Sequence, residues 1–584
     1  MNKLTIIITF IALLSFQSAC KRENNNGDSR LTIDMVQPNP GEAFTKTKFS
    51  NPEFLRKFEY NGQVINDFRF VSCAITYDSF DKNIFPEGSE SRAWVLNLAA
   101  HIDTMISNCH KNGLKVYYFT DIIVLPKRMV ELYGKEICDE SGRIDFMRPK
   151  TQEIHRIMIK EIFDRFPDLD GLVIRVGETY KQNVPYHTGN GPIQRDDKSW
   201  VHGAGHTSDG GENIHVALIN LLRDEVCVKR NKTLIYRTWD FGFFHTQPGY
   251  YLKVTNQIKP HKNLYFSIKH VQGDYHRTYK FNPTIGIGKH KQIVEVECQR
   301  EYEGKGAYPN YIAEGVINGF EEQKNDSLSG GLKALKDNPL FAGVWTWSRG
   351  GGWKGPYIKN ELWCELNAYV IEHWNNDRNK PESYYFSQWA KMKGFSPENA
   401  KRMRRLSLLS ADAVVRGIGS LIMPVNVWWT RDEFIGGSVE LNETFDQIIR
   451  QNKIDAMLAE KHESVQIWHK MKLIADSIQC PDKNDERYIK TSVEYGYLLY
   501  SIYEQTWYIL LKGREGDLTG FYNIGAIQKS IAKYDDLWKA FYALKDKNDD
   551  CATLYKPFAF MYVPPDFHGD EGAQKSIDKY RSLK

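Results

Sequence analysis

Hydrophobic and polar positions in residues 30–375 alternate between two periods. Short runs rich in β-branched and aromatic residues recur, and between them apolar residues return at helical spacing, as in residues 93–109, 151–166 and 213–226. The pattern predicts eight strands, at residues 31–36, 68–77, 114–119, 172–178, 233–239, 264–270, 293–299 and 343–347. Eight strands that alternate with helices indicate a parallel sheet closed into a (β/α)8 TIM barrel.

After residue 375 the pattern becomes almost entirely helical. Ser396 before Pro397 predicts a capped helix start, and residues 445–479 and 485–512 are predicted as long helices. The second is rich in Tyr and Leu, so we expect it to be buried. The predicted organisation is therefore a signal peptide, a tether, a catalytic barrel and an all-α C-terminal domain, at residues 1–20, 21–29, 30–375 and 376–584.

The N-terminus is typical of a secretory signal. Lys3 precedes the apolar run 4–16, which is followed by Gln17-Ser18-Ala19-Cys20. A Cys directly after small residues is typical of a bacterial lipoprotein, so we predict acylation of Cys20 and anchoring in the periplasm or at the outer membrane. A plain signal peptide with an incidental Cys is the alternative. The run is shorter than the ~20 apolar residues of a membrane span.

Composition excludes several classes of function. Hydrophobic residues make up 41% and charged residues 26% of the 584 positions, as in a well-packed globular protein. A net charge of +4 gives no support for a nucleic-acid partner. The cysteines other than Cys20 form no CxxC pair and no cluster with His at metal spacing. We expect buried thiols or an occasional disulfide, no metal and no cofactor.

Carboxylates follow three of the predicted strands. Glu178 ends the fourth strand after Gly177, Asp274 follows the sixth, and Glu301 follows the seventh. Active sites of such barrels lie at the C-terminal ends of the strands, so the three are expected at one face. Glycoside hydrolysis needs one carboxylic acid to protonate the leaving oxygen and a second carboxylate to activate water or attack the sugar. For any one of them, a surface or salt-bridged acid is the alternative.

The seventh predicted strand also carries an unusual acidic face. Its alternation sets Val294, Val296 and Cys298 on one side and four polar residues on the other. These four are Glu295, Glu297, Gln299 and Glu301. Acidic side chains that face into a barrel are costly unless they are paired or serve a site.

Four segments together resemble the family 67 α-glucuronidases. They are DGLVIRVGE at 170–178, residues 206–239, IKHVQGD at 268–274 and QREYEG at 299–304. The resemblance implies an inverting hydrolase that releases a terminal uronic acid. Glu178 would be the general acid, and Asp274 and Glu301 would polarise the attacking water.

The resemblance also implies how the acidic sugar is bound. Arg237 and Lys269 match the basic residues that bind the substrate carboxylate, with a barrel-mouth salt bridge as the alternative for each. The family has a Lys four residues before its acid, where this chain has Ile174. Arg175 is the next residue along the chain, so we do not assign the role of that Lys to Arg175. The family also begins with a β-rich domain that precedes its barrel.

Tryptophans complete the predicted sugar site. Trp239 ends the fifth strand, and Trp345 and Trp347 precede the Gly350–Gly352 run of the eighth. We expect a sugar-binding wall there, with core packing as the alternative. The predicted partner is a uronic-acid-containing oligosaccharide. A hydrolase for another uronic acid such as galacturonic acid, and a non-catalytic glycan-binding lipoprotein, are the rival interpretations. The oligomeric state stays open, with a homodimer as one alternative.

Overall fold

The computed structural model describes most of the chain after residue 29. The described residues are 30–38, 47–191, 210–240, 242–273, 275, 277–324, 330–351, 356–423, 425, 438–554 and 572–584. Residues 31–584 form one compact unit. The signal peptide, the tether, Cys20 and Asp274 lie outside the described residues, so these predictions remain predictions.

Eight parallel strands form a closed barrel. In chain order they are β1 (Leu31–Val36), β2 (Gly62–Ile65), β3 (Lys115–Asp121), β5 (Gly171–Arg175), β7 (Thr233–Arg237), β8 (Leu264–Lys269), β9 (Lys291–Glu297) and β10 (Phe341–Arg349). Their order around the ring is β1-β10-β9-β8-β7-β5-β3-β2, and Ile33 of β1 stands opposite both Trp345 of β10 and Gly62 of β2, which closes the ring. A small antiparallel pair, β4 (Val124–Pro126) with β6 (His187–Gly189), lies outside the ring.

Helices account for most of the remaining elements. They are α1 (Pro52–Lys57), α2 (Glu90–Lys111), α3 (Lys127–Ile137), α4 (Pro149–Arg165), α5 (Gly210–Leu222), α6 (Phe243–Thr246), α7 (Pro248–Thr255), α8 (Ala313–Asn318), α9 (Leu362–Asn376), α10 (Glu382–Met392), α11 (Pro397–Ile418), α12 (Ser438–Arg450), α13 (Ile454–Ser477), α14 (Lys483–Thr519), α15 (Ile524–Lys547) and α16 (Gly572–Arg581). The prediction of a TIM barrel followed by an all-α region is confirmed. None of the described helices is long and apolar enough to cross a membrane.

Strand alternation separates the two sides of the barrel wall. In β9, Ile293 belongs to the apolar cluster inside the ring, and Val294 and Val296 pack in the surrounding core beneath the helices. In β5, Val173 lies inside and Ile174 outside. Side chains two residues apart share a face, so the last inward residue of each strand points into the barrel mouth.

The second strand was predicted in the wrong place. Residues 68–77 contain a 3-10 turn at Val71–Cys73, and Phe68 and Tyr77 have left-handed φ angles of 56° and 58°. The run is apolar because its side chains fill the core beneath the helices. The true strand, Gly62–Ile65, has four residues and includes Gly and Gln, so its hydrophobic signal is weak.

The helical region also differs from prediction at one point. The helix predicted over 445–479 is two helices, α12 and α13, separated at Asn452, whose φ is 52°. Asn tolerates this left-handed conformation better than most residues. The helical spacing of apolar residues continues across Asn452, so the sequence pattern does not indicate the break. The start at Ser396 is confirmed, because its hydroxyl accepts the N–H of Asn399. The eight cysteines among the described residues are free thiols.

Candidate active site

Charged side chains occupy the last inward positions of five consecutive strands of the ring. They are Asp121, Arg175, Arg237, Lys269 and Glu297, at the ends of β3, β5, β7, β8 and β9. None is more than 2% exposed. Buried charges are tolerated only when they are paired or hydrogen-bonded. Arg175 is paired with Asp121, and Arg237 is paired with Glu295, which lies two residues before Glu297 in β9.

The central ion pair joins Arg237 to Glu295. Arg237 Nε donates to Oε1 at 2.8 Å and Nη2 donates to Oε2 at 2.7 Å. The hydroxyls of Ser267 and Tyr275 donate to the same carboxylate at 2.7 and 2.8 Å. Burial alone would raise the pKa of Glu295, but the charge and hydrogen bonds of Arg237 outweigh it, and the net pKa is lowered. Glu295 is thus held ionised.

Aromatic rings surround the two predicted carboxylate-binding cations. The guanidinium of Arg237 lies 5.0 Å from the ring of Trp347 and 5.4 Å from that of Trp345. Lys269 Nζ lies 3.6 Å from the ring of Trp239. These distances fall in the range of cation–π attraction. Trp345 is fully buried inside the barrel, the position that core packing predicts, whereas Trp347 and Trp239 are 5% and 8% exposed.

A second ion pair supports Glu178. Arg175 Nε and Nη2 donate to the two oxygens of Asp121 at 2.5 and 2.6 Å. Arg175 Nη1 lies 3.6 Å from Glu178 Oε2, and the backbone N–H of Tyr180 donates to Asp121 at 2.9 Å. The pair therefore fixes the segment that carries Glu178, whose side chain is 28% exposed. Burial lowers the pKa of the Arg237 guanidinium, but the charge and hydrogen bonds of Glu295 outweigh burial and raise it, with smaller contributions from Tyr275 and Glu178. Glu178 is therefore near enough to Arg237 to interact with its charge.

Glu301 meets a further carboxylate, Glu297, beside the glycine-rich turn after β10. The N–H of Glu301 donates to Glu297 Oε2 at 3.1 Å. A Cβ on Gly351 would stand 2.6 Å from Glu297 Oε1 and 2.7 Å from Glu301 Oε2. Gly351 also has a φ of +86°, so glycine lets the backbone approach both carboxylates.

Sequence reasoning missed several residues of this site. Glu178, Glu301, Arg237, Lys269 and the tryptophans lie around one barrel mouth, but the supporting residues were not assigned roles. These are Asp121, Arg175, Glu295, Tyr275, Glu297 and Gly351. Strand parity carried a signal for Arg175, since Val173 faces inward two residues before it. Across the described residues, no group of three or more His, Cys, Asp or Glu side chains could hold a metal ion.

Comparison with known proteins gives matches to solved structures only. No protein-family model matches the chain, and no curated protein matches its sequence. A solved GH138 enzyme targeting pectin rhamnogalacturonan II is similar over 95% of this chain and 67% of its own, with 14% identity and a TM-score of 0.57. An O-GlcNAc hydrolase mutant from Thermobaculum terrenum covers 95% of this chain and 94% of its own at 10% identity and a TM-score of 0.39.

A GH84 structure covers 95% of this chain and 75% of its own, at 8% identity and a TM-score of 0.36. These neighbours are glycoside hydrolases. At 14% identity the similarity to the GH138 enzyme shows a shared fold. Membership of family 67 stays a prediction.

Proposed function

We propose that this protein is a glycoside hydrolase that releases a terminal uronic acid from oligosaccharides. The observation that carries the proposal is the grouping of Glu178 and Glu301 around a mouth that also holds Arg237 and Lys269. Carboxylates supply the acid and base of glycoside hydrolysis. Cations beside them suit a substrate that is itself an anion.

In the proposed mechanism Glu178 protonates the leaving oxygen, and Asp274 and Glu301 polarise the attacking water. Glu297 orients Glu301 through the N–H that it accepts. Lys269 and Arg237 bind the substrate carboxylate. Nε and Nη2 of Arg237 donate to Glu295, so its contact with substrate would use Nη1, the nitrogen that Glu295 does not engage.

Sugar contacts are proposed for the tryptophans nearer the mouth. The indole Nε1 of Trp347 has no hydrogen-bond partner among the described residues and can donate to a sugar hydroxyl. Trp239 presents an aromatic face that Lys269 already covers on one side. Trp345 would act from beneath, through its packing against Trp347 at 5.8 Å between ring centroids.

Galacturonic acid is the second candidate for the released sugar. The GH138 enzyme of similar fold targets a pectin, and pectins are polysaccharides rich in uronic acids. The same cations would bind either sugar, because glucuronic and galacturonic acids differ in one hydroxyl and not in the carboxylate. The hydroxyl pattern would be read by the loops around the mouth.

A product screen on acidic oligosaccharides tests the proposal. Wild type should release glucuronic or galacturonic acid, and Glu178→Gln should release neither from substrates with a natural leaving group. Glu161→Gln is a matched control, because Glu161 accepts hydrogen bonds from Ser79 and Tyr77 well away from the mouth. Binding of these glycans without release of any sugar by wild type would instead support the rival interpretation, a glycan-binding lipoprotein.

We also propose that the chain is anchored by a lipid on Cys20 in the periplasm or at the outer membrane. The basis is the Ser18-Ala19-Cys20 sequence after a short apolar run. Labelling with a fatty-acid analogue should mark wild type and leave Cys20→Ala unmarked. Equal labelling of both proteins would exclude acylation at this residue.

A further inference from the structure

The loop after β8 is a hairpin that places Tyr275 beside Glu295 at the barrel mouth. Val271 pairs with Phe281, the N–H of Gln272 donates to the carbonyl of Lys280 at 2.9 Å, and the N–H of Asn282 donates to that of His270 at 3.0 Å. The described residues of this hairpin are 270–273, 275 and 277–282. Among them Tyr275 bears directly on the site, because its hydroxyl donates to Glu295. Asp274, the proposed water-activating residue, precedes Tyr275 in the sequence and lies outside the described residues.

Tyr275 is held in an unfavourable backbone conformation. Its φ is 63°, in the left-handed region that bulky residues rarely adopt. Its ring lies 4.5 Å from Lys269 Nζ and 5.4 Å from the ring of Trp347. Such conformations persist only where the surroundings over-determine them. The hairpin tip therefore needs an anchor.

Arg277 provides this anchor two residues further along the hairpin. Its Nε and Nη2 donate to the two oxygens of Glu322 at 2.5 and 3.0 Å, and its Nη1 donates to the carbonyl of Ala411 in α11. Its backbone N–H donates to Glu303 Oε1 at 2.7 Å. One buried residue thus joins the hairpin to the segment after β9 and to the helical region.

Glu303 extends the same anchor to the segment that carries Glu301. Its carboxylate accepts from Nε and Nη2 of Arg300 at 3.0 and 2.5 Å and from Asn310 at 2.7 Å. Arg300 directly precedes Glu301 and also has a left-handed φ, of 57°. The two site segments that follow β8 and β9 are therefore braced against each other through Glu303 and Arg277.

We propose that Arg277 is a positioning residue through which helix α11 holds the β8 hairpin against the active site. Arg277 does not itself touch the substrate. It acts through Tyr275, whose hydroxyl donates to Glu295, and its importance for catalysis rests on the proposed function. The helical region then contributes to the reaction by fixing the geometry of the site.

The test compares Arg277→Met with Arg404→Met. Arg404 lies in α11 and makes a two-bond pair with Glu382 of α10, at 2.6 Å for each bond, so its loss matches the loss of the Arg277–Glu322 pair at a different contact. Both variants should lower the melting temperature. Only Arg277→Met should lower kcat, by about 10²-fold, with KM changing less, because small displacements of catalytic groups are costly. Arg277→Lys, which keeps one charged contact, should recover part of kcat.

Hydrogen exchange of the whole protein provides a readout that needs no activity. Amides in residues 270–282 should exchange faster in Arg277→Met than in wild type or Arg404→Met. If this happens while wild type cleaves no acidic glycoside, the anchoring is upheld and the proposed function fails. Unchanged exchange in the hairpin, or equal losses of kcat in the two Met variants, would overturn the proposal.

Discussion

Arg237 and Glu295 face each other inside the barrel through two parallel hydrogen bonds of 2.8 and 2.7 Å, with the two side chains 2% and 0% exposed. This geometry places the salt bridge directly beneath the proposed sugar site. The guanidinium carbon also lies 5.4 and 5.0 Å from the ring centroids of Trp345 and Trp347. Structural and substrate-binding roles of Arg237 are therefore separable by experiment.

Arg237→Met should destabilise the protein strongly. It leaves the Glu295 carboxylate buried without its cation, and breaking one side of a buried pair typically costs about 3–5 kcal/mol of unfolding free energy. Adding Glu295→Gln to Arg237→Met should restore part of that loss, since the side chain at position 295 is then neutral. Denaturant titrations of the single and double variants measure both effects.

The same double variant separates recognition from folding. If Arg237 binds the substrate carboxylate, kcat/KM for an acidic glycoside should stay below the wild-type value, by a ratio that corresponds to about 2–4 kcal/mol of lost transition-state stabilisation. The loss for a neutral analogue should be much smaller. Equal losses on the two substrates would make Arg237 purely structural. Lys269→Met is the companion variant, because it removes the second cation and leaves the Arg237–Glu295 pair intact.

Gly351→Ala should inactivate the enzyme. The new methyl group would stand within 3 Å of the carboxylates of Glu297 and Glu301, in a backbone conformation with φ of +86°. Gly142→Ala is the control, since Gly142 has a φ of +81° and nothing within 4 Å of the added Cβ. The control should lose only about 1 kcal/mol of stability from backbone strain and keep full activity. Comparable kcat for the two variants would mean that the turn can shift away from the carboxylates.

The sequence predicted the parts of the site that depend on local alternation. Glu178 and Glu301 follow apolar strands, and the acidic face of β9 is visible as alternating residues. The same parity would have identified Arg175 as an inward residue, because Val173 lies inside the barrel. The resemblance to family 67 places that family's Lys at the position of Ile174, whose side chain lies on the outer face of the strand.

Contacts between distant segments could not be read from the sequence. Arg277 bonds to Glu322, 45 residues away, and to the carbonyl of Ala411, 134 residues away. Hydrophobic patterning says nothing about which charges meet across such intervals. The misplaced strand at 68–77 has a related cause, because apolar residues in irregular core segments resemble a strand when only local pattern is considered.

Asp34 should make the stability of the folded protein depend on pH. Burial between β1 and β10 raises its pKa to about 7 from the usual 3.8, although Thr346 and Ser348 donate hydrogen bonds to it. Between these two pH values the folded state binds more protons than the unfolded chain, so this contribution to the unfolding free energy falls as pH rises. In Asp34→Asn the group no longer titrates. The unfolding free energy of the variant should therefore rise relative to that of wild type, by up to about 4 kcal/mol between pH 4 and pH 8.

Denaturant titrations of wild type and Asp34→Asn across that range measure the difference directly. Asp78→Asn serves as a control of opposite sign, because the hydrogen bond from Arg92 lowers the pKa of Asp78. Its carboxylate contributes stability above the unfolded pKa and loses it as pH falls, so the variant should be less stable at neutral pH. A constant difference between wild type and Asp34→Asn would contradict the titration of this residue.

The last prediction joins the role of Glu178 to the stereochemistry of the product. Glu178→Gln keeps the shape of the side chain but removes the transferable proton, so cleavage of poor leaving groups should collapse while an activated aryl glycoside is partly spared. Asp274→Asn and Glu301→Gln should spare neither substrate, because both need an activated water. Proton NMR in the first minutes should show the inverted anomer, since the proposed base carboxylates act on water and not on the sugar. A retained anomer would falsify the two-base assignment and make Asp274 or Glu301 the nucleophile.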